Sequence, residues 1–381
     1  MEIYLDNAAT TRPWPEAIDA VVRAMGDAFG NASSVHRRGL AAARLVEDAK
    51  RTIAEAVGGG PWQVVFTSGG TESDNTAVLG SAPRGRRDAI VVTVLEHPAV
   101  AEACKAAAAL GARIVEVEAG SGGVMDPKAV EAAVDERTAL VSVIHVSNEI
   151  GTVQPVAEMA RLAKRRSPGC RVHVDAVQAL PRLARLEYPP EIDMVSLSGH
   201  KIHGPQGVGA LLLRPGVKPR PLLHGGGQQE GQRAGTHNIQ GIAGMAAAAA
   251  RLKERKAEGC ARMASLAQRI ETAVVSSVPD VRALGDPVAR APGFLVLAID
   301  DVHAEILLHA LEARGVVASA GAACHSRQAA PSRALVSAGL RADEGPLRLS
   351  LSLDTTESEA DAAAAAIIEA VAAIRKGQAG L

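Results

Sequence analysis

The stretch Met194-Val195-Ser196-Leu197-Ser198-Gly199-His200-Lys201 decides how the rest of the chain is read; it continues through Ile202-His203-Gly204-Pro205-Gln206-Gly207 into the apolar run 208–213. A short apolar strand that breaks into Ser-Gly-His-Lys presents a hydroxyl, an imidazole and an amine where the backbone leaves a sheet. A lysine in such a place is a candidate nucleophile toward carbonyls, because desolvation depresses its pKa and frees the amine to attack. Upstream, Arg171-Val172-His173-Val174-Asp175-Ala176-Val177-Gln178 reads as a second short strand, rich in valine, that ends in a carboxylate. Charged groups at the carboxyl ends of apolar strands sit where open α/β sheets bind ligands.

Outward from these two strands, apolar runs alternate with helical patterns. Strands are expected at 64–66, 90–94, 140–146, 171–174, 194–197 and 208–213, and helices at 40–57, 99–110, 127–134, 156–166 and 239–276. Fully apolar strands separated by helices imply a parallel-rich sheet covered on both faces, an α/β core. After Pro279 the pattern changes to short strands near 294–299 and 347–351 with helices at 304–313 and 357–374. This predicts a smaller α+β domain. The division expected is a large domain over 15–258 and a small domain made of 1–14 with 259–381. At 381 residues the chain is too long for one typical core. Only seven residues are Phe, Trp or Tyr, so that core must be aliphatic.

Pyridoxal phosphate needs a lysine that bonds its aldehyde and a carboxylate that keeps its ring nitrogen protonated. Asp175 and Lys201 fit that pair. A third segment, Val64-Val65-Phe66-Thr67-Ser68-Gly69-Gly70-Thr71-Glu72-Ser73, reads as strand, glycine turn and helix start. Backbone N–H groups at a helix start, approached closely past glycine, bind phosphate with the help of the helix dipole. The segment matches neither a Walker loop nor a dinucleotide fingerprint, so a smaller phosphate is implied.

With Tyr4-Leu5-Asp6-Asn7-Ala8-Ala9-Thr10-Thr11, Gly30-Asn31, Glu96-His97, Asn148-Glu149-Ile150-Gly151, Arg233-Ala234-Gly235-Thr236 and Ala320-Gly321-Ala322-Ala323-Cys324, these segments resemble the cysteine desulfurase family of pyridoxal-phosphate enzymes. The likeness runs in order from Tyr4 to the Arg348-Leu349-Ser350-Leu351 segment. It implies the fold type I architecture of pyridoxal-phosphate-dependent transferases, a mostly parallel seven-stranded type of sheet covered by helices beside a smaller domain. It implies conversion of L-cysteine to L-alanine, with the sulfur carried as a persulfide on Cys324 to an acceptor protein or thiol. By the same resemblance His97 stacks on the cofactor ring and moves protons, a role its ordinary near-neutral pKa suits. Asn148 touches the ring hydroxyl and the substrate carboxylate, and Gln178 the same ring oxygen. Gly70, Thr71, Ser198 and His200 hold the phosphate, joined by Thr236 of a second subunit, which implies a homodimer. Arg348 clamps the substrate carboxylate, bidentate geometry that lysine cannot match.

One departure bears on the substrate. Many cysteine desulfurases carry Thr-Ser after the cysteine, whereas this chain has His325-Ser326, and Gly-Ala-Ala-Cys-His-Ser is similar to the segment of selenocysteine lyases. L-selenocysteine is therefore the alternative substrate. A class V aminotransferase would keep Lys201 and Asp175 yet need no cysteine at 324, and would make keto acid in place of alanine.

A formal charge of −1 and a pI near 6.8 argue against nucleic acid or anionic membrane as a partner. Neither a signal-peptide pattern nor an apolar run of membrane-spanning length is present, so a cytoplasmic protein is expected. Cys104, Cys170, Cys260 and Cys324 lie far apart, without the paired spacing of a zinc site or a dense disulfide framework.

Overall fold

In the computed structural model, which describes residues 2–81, 83, 85–321 and 331–378, seven strands form the large sheet. Their spatial order is Gln63–Thr67, Gly209–Leu213, Met194–Ser198, Arg171–Asp175, Thr138–Ile144, Ala89–Thr93, Arg113–Val117. Only Gly209–Leu213 runs against its neighbours. The other six point the same way, so their carboxyl ends share one edge of the sheet. The interior strands are buried at every residue, as sequences like AIVVT and TALVSVI require when helices cover both faces.

Among the elements not anticipated are a strand and a helix of some length. Arg113–Val117 escapes an apolar-run reading because Arg113 and Glu116 are exposed, which the strand tolerates by lying at the sheet edge. Helix Pro15–Asp27 opens on a proline at its first position, where the missing N–H costs nothing. The helix expected at 40–57 begins earlier, at Arg37, because the His36 ring accepts the Gly39 N–H at 3.2 Å and caps it.

The smaller sheet is antiparallel, with Phe294–Asp300 between Glu344–Ser350 and Val281–Ala283. The N-terminal strand Ile3–Tyr4 pairs in parallel with Val316–Val317, and Asp6 bridges to Ser350. Asn7 Nδ2 donates to Ser350 O at 2.9 Å, and Ala8 N to Ser350 Oγ at 2.8 Å. The chain thus begins at the small sheet and then crosses to the open edge of the large one. Helix Ile239–Ser277 runs past both: Arg251 and Lys253 pair with Glu16 and Glu55, while Arg269 pairs with Asp361 and Glu357.

Gly151 joins the two sheets. It has φ +71°, and a Cβ there would lie 2.4 Å from both Cβ and Cγ of Phe294, a fully buried side chain. Gly151→Ala should therefore cost about 2–3 kcal/mol from strain and overpacking. Gly26→Ala, in a helix where a Cβ meets nothing within 4 Å, should stabilise by about 0.5–1 kcal/mol. Denaturant titration of both variants checks the contrast, and equal midpoints would refute it.

Candidate active site

The loops at the common carboxyl edge enclose a cavity of about 330 Å³. Gly70, Thr71, His97, Asn148, Asp175, Gln178, Ser198, His200, Lys201 and Arg348 all line it. Each stands just past, or at the end of, a strand, Arg348 excepted, which enters from the small sheet. Thr236 does not line it; it is exposed, on a turn held near the helix start by Arg233 Nε donating to Glu72 Oε1 at 3.0 Å. Cys324 lies outside the described residues.

Lys201 ends the short helical turn Gly199–Lys201, and its Nζ donates to Ala8 O and Ala9 O, each at 2.6 Å. Burial and then the Arg348 cation push its pKa down to about 8. The segment carrying those carbonyls is itself fixed: Thr11 N and Oγ1 donate to His200 O, and Gln178 Nε2 donates to Ala8 O at 2.8 Å. Just beyond the lysine, His203 adopts φ +62° and stacks on Trp14 with ring centroids 4.2 Å apart, which turns the chain back toward the sheet.

Asp175 is buried, and its Oδ1 accepts the Val177 N–H at 2.9 Å; burial raises its pKa to about 6. His97 caps helix Pro98–Ala109 by accepting the Ala99 N–H on Nδ1 at 3.1 Å, so its neutral form carries the proton on Nε2. Burial, reinforced by Lys201, lowers it to about 4 rather than leaving it near neutrality. Near pH 7 the imidazole is therefore held in its neutral form.

Arg348 is 2% exposed. It donates to Asn148 O at 2.7 Å and to Asp6 Oδ1 at 2.6 Å, and its Nε is buried without a partner. Asp74 and Glu96 escaped the sequence reading. Asp74 lines the cavity with Oδ1 unpartnered, raised by burial and by Asp175. Glu96 Oε1 accepts from Thr93 Oγ1 and Ile144 N, and burial raises it to about 8. Their place in the Thr-Glu-Ser-Asp and Glu-His motifs was the only available signal.

These features define an α/β protein with a reactive lysine and a buried acid at a sheet edge. The profile of the aminotransferase class-V family matches residues 3–363. A cysteine desulfurase of Cereibacter sphaeroides is 42% identical over 94% of this chain and 93% of its own length. The solved structure of a NifS-like protein superposes with a TM-score of 0.87 at 32% identity, covering 97% of this chain and 99% of its own. Another, described as SspA in complex with cysteine, gives 0.80 at 27% identity, covering 93% and 100%. The chain belongs to the aminotransferase class-V family and, within it, to the pyridoxal-phosphate-dependent cysteine desulfurases.

The cavity fits that cofactor on its own geometry. A Cβ at Gly70 would lie 2.9 Å from Val177 Cγ2 and 3.6 Å from Ser198 Cβ, so glycine lets the helix start close against the strand ends. The first-turn N–H groups, which helix geometry leaves without internal acceptors, then border the cavity beside Ser198 and His200. Asp175 and Lys201 line the same cavity as an acid and an amine. In the apo-protein, borohydride reduction with added pyridoxal should label Lys201 ahead of other lysines, with a half-maximal rate near pH 8. The sign follows from burial, which disfavours the ammonium form; labelling that rises only near the ordinary lysine value of about 10.4 would contradict it.

Proposed function

We propose that the chain removes the sulfur of L-cysteine as a persulfide on Cys324 and releases L-alanine, the sulfur then passing to an acceptor thiol or protein. The observation that carries this reading is a cavity in which Lys201, Asp175 and Arg348 meet, in a chain whose relatives are named cysteine desulfurases. Those names favour sulfur over selenium, despite the His325-Ser326 departure.

When bound, pyridoxal phosphate supplies an electron sink for charge developing at the substrate α-carbon. Gly70, Thr71, Ser198 and His200 would hold its phosphate, Asp175 its ring nitrogen, Gln178 and Asn148 its ring oxygen, and His97 its ring face. Lys201, its pKa lowered to about 8, carries the α-proton. Arg348, with one N–H left over, orients the carboxylate. The Cys324 thiolate attacks the γ-sulfur: an S–S bond forms, the C–S bond breaks, and its electron pair ends on the carbon that becomes the alanine methyl group.

The working unit we read is a homodimer in which Thr236 of a second copy completes the phosphate site. In support, Thr236 is exposed and absent from its own cavity, and Val22, Met25 and Phe29 leave an apolar stripe 63%, 60% and 62% exposed. The domains we read are 15–258 and 1–14 with 259–381, a division supported by the change of partners along helix Ile239–Ser277. Among the described residues no helix is long and apolar enough to cross a membrane. We place the enzyme in the cytoplasm, where acceptor thiols stay reduced.

Cys324→Ala should keep the visible absorption of the bound cofactor but lose sulfur transfer by at least about a hundredfold, and mass spectrometry should find no added sulfur on the protein. Sulfur release at the parental rate would overturn the assignment. Val22→Asp combined with Met25→Asp should move the sedimentation coefficient from dimer toward monomer and weaken cofactor retention; an unchanged dimer would contradict the interface.

A further inference from the structure

The strand Gln63–Thr67 ends the large sheet, so one side of it has no neighbouring strand. A side chain takes that place at Phe66: Gln229 Oε1 accepts from Phe66 N at 2.7 Å, and Gln229 Nε2 donates to Phe66 O at 2.8 Å. One amide thus completes the pairing that a further strand would give. Beside it, Gln63 Nε2 donates to Glu230 Oε2 at 3.0 Å. In making these bonds Gln229 and Glu230 both turn left-handed, with φ +50° and +59°, a conformation that residues with a Cβ resist. Glycine stands at 231 but at neither of these positions, so the turn keeps two side chains despite the strain.

The same loop grips the chain again at Glu72. Arg233 Nε donates to Glu72 Oε1 at 3.0 Å and Nη2 to Oε2 at 3.4 Å, while Glu72 Oε2 also accepts the Ser68 N–H at 2.7 Å. Gly235 N donates to Gln228 Oε1 at 3.0 Å, which closes the loop on itself. Phe66 and Glu72 therefore bracket the turn that brings Gly70 and Thr71 to the cavity, although neither Gln229 nor Arg233 lines that cavity. Glu72 stands in the first turn of helix Gly70–Leu79, where the helix favours one anion and a second would be repelled by it. Arg233 is the cation that cancels the Glu72 charge, and with side chains 23% and 10% exposed the pair is only partly screened by water.

We propose that Arg233 and Gln229 are positioning residues for the cofactor phosphate: Gln229 fixes the strand end before the Gly69-Gly70 turn, and Arg233 holds the helix start while cancelling the Glu72 carboxylate. The inference rests on the reading that Gly70 and Thr71 hold that phosphate. Were the loop only a strut on the sheet edge, its loss would lower stability and weaken ligands with and without a phosphate alike.

The test is titration of the full chain, stripped of cofactor, with pyridoxal phosphate and with pyridoxal. In Arg233→Gln the ratio of the two affinities should fall about tenfold, chiefly through weaker binding of pyridoxal phosphate, and adding Glu72→Gln to that variant should restore most of it. Arg233→Lys, which keeps the charge, should lose less. Gln229→Met, which keeps the length of the side chain and removes both bonds to Phe66, should lower the ratio about threefold. If Arg233→Gln does not fold, Glu72→Gln alone serves in its place, since a cation left unpaired at the helix start should raise the ratio, and a ratio at or below the parental one would overturn the inference. A folded Arg233→Gln with the parental ratio, or one that Glu72→Gln fails to restore, overturns the inference alone, provided that Thr71→Val lowers the ratio. A Thr71→Val protein that keeps the parental ratio overturns the phosphate reading, and this inference with it.

Discussion

A lysine amine withdrawn from water, with a guanidinium as its charged neighbour, is the constraint on which the site depends. Held at the end of a buried strand between the Ala8 and Ala9 carbonyls, Lys201 gives up its proton more easily than a surface lysine does. The surrounding features hold that amine in place, although Asp6 and Asp175 act against the shift by raising its pKa. The N-terminal segment supplies the two carbonyls and is tied down by the small sheet through Asn7 and Ala8. Asp175, from the next strand, offers the opposite charge within the same cavity. The Arg348–Asp6 pair brings in the small sheet, and breaking a buried pair of this kind costs about 3–5 kcal/mol.

Much of this was legible because the chemistry sits where strands end. The Ser-Gly-His-Lys break, the Val-Asp ending and the Gly-Gly-Thr turn each combine a strand's apolar run with residues a core would reject, and the structure brings all three to one cavity. What stayed hidden was burial. Nothing in the order of residues reveals that Arg348 and Arg182 are each 2% exposed, that Asp74 has an unpartnered oxygen, or that the His97 ring is desolvated enough to stay neutral. Arg113–Val117 was missed for the opposite reason: an edge strand keeps charges on a surface that an interior strand would bury. Cys324 is legible only through family likeness, because a cysteine among small residues has no pattern of its own.

The two sheets divide the labour. The large one collects the amine, the acid and the glycine-opened helix start along one edge, as parallel strands with helical crossovers dictate. The small one supplies Arg348, which reaches the cavity and donates to Asn148 O, and, through Ser350, the anchor of the N-terminal segment. Gly151 and Arg182 are the joints between them: one admits Phe294 by lacking a side chain, and the other stacks on the same ring.

The product of the reaction tests the account most directly. Purified protein loaded with pyridoxal phosphate and supplied with L-cysteine should form L-alanine in amounts equal to the sulfur transferred, with no keto acid. Keto acid in place of alanine, or no turnover of L-cysteine at all, would contradict it.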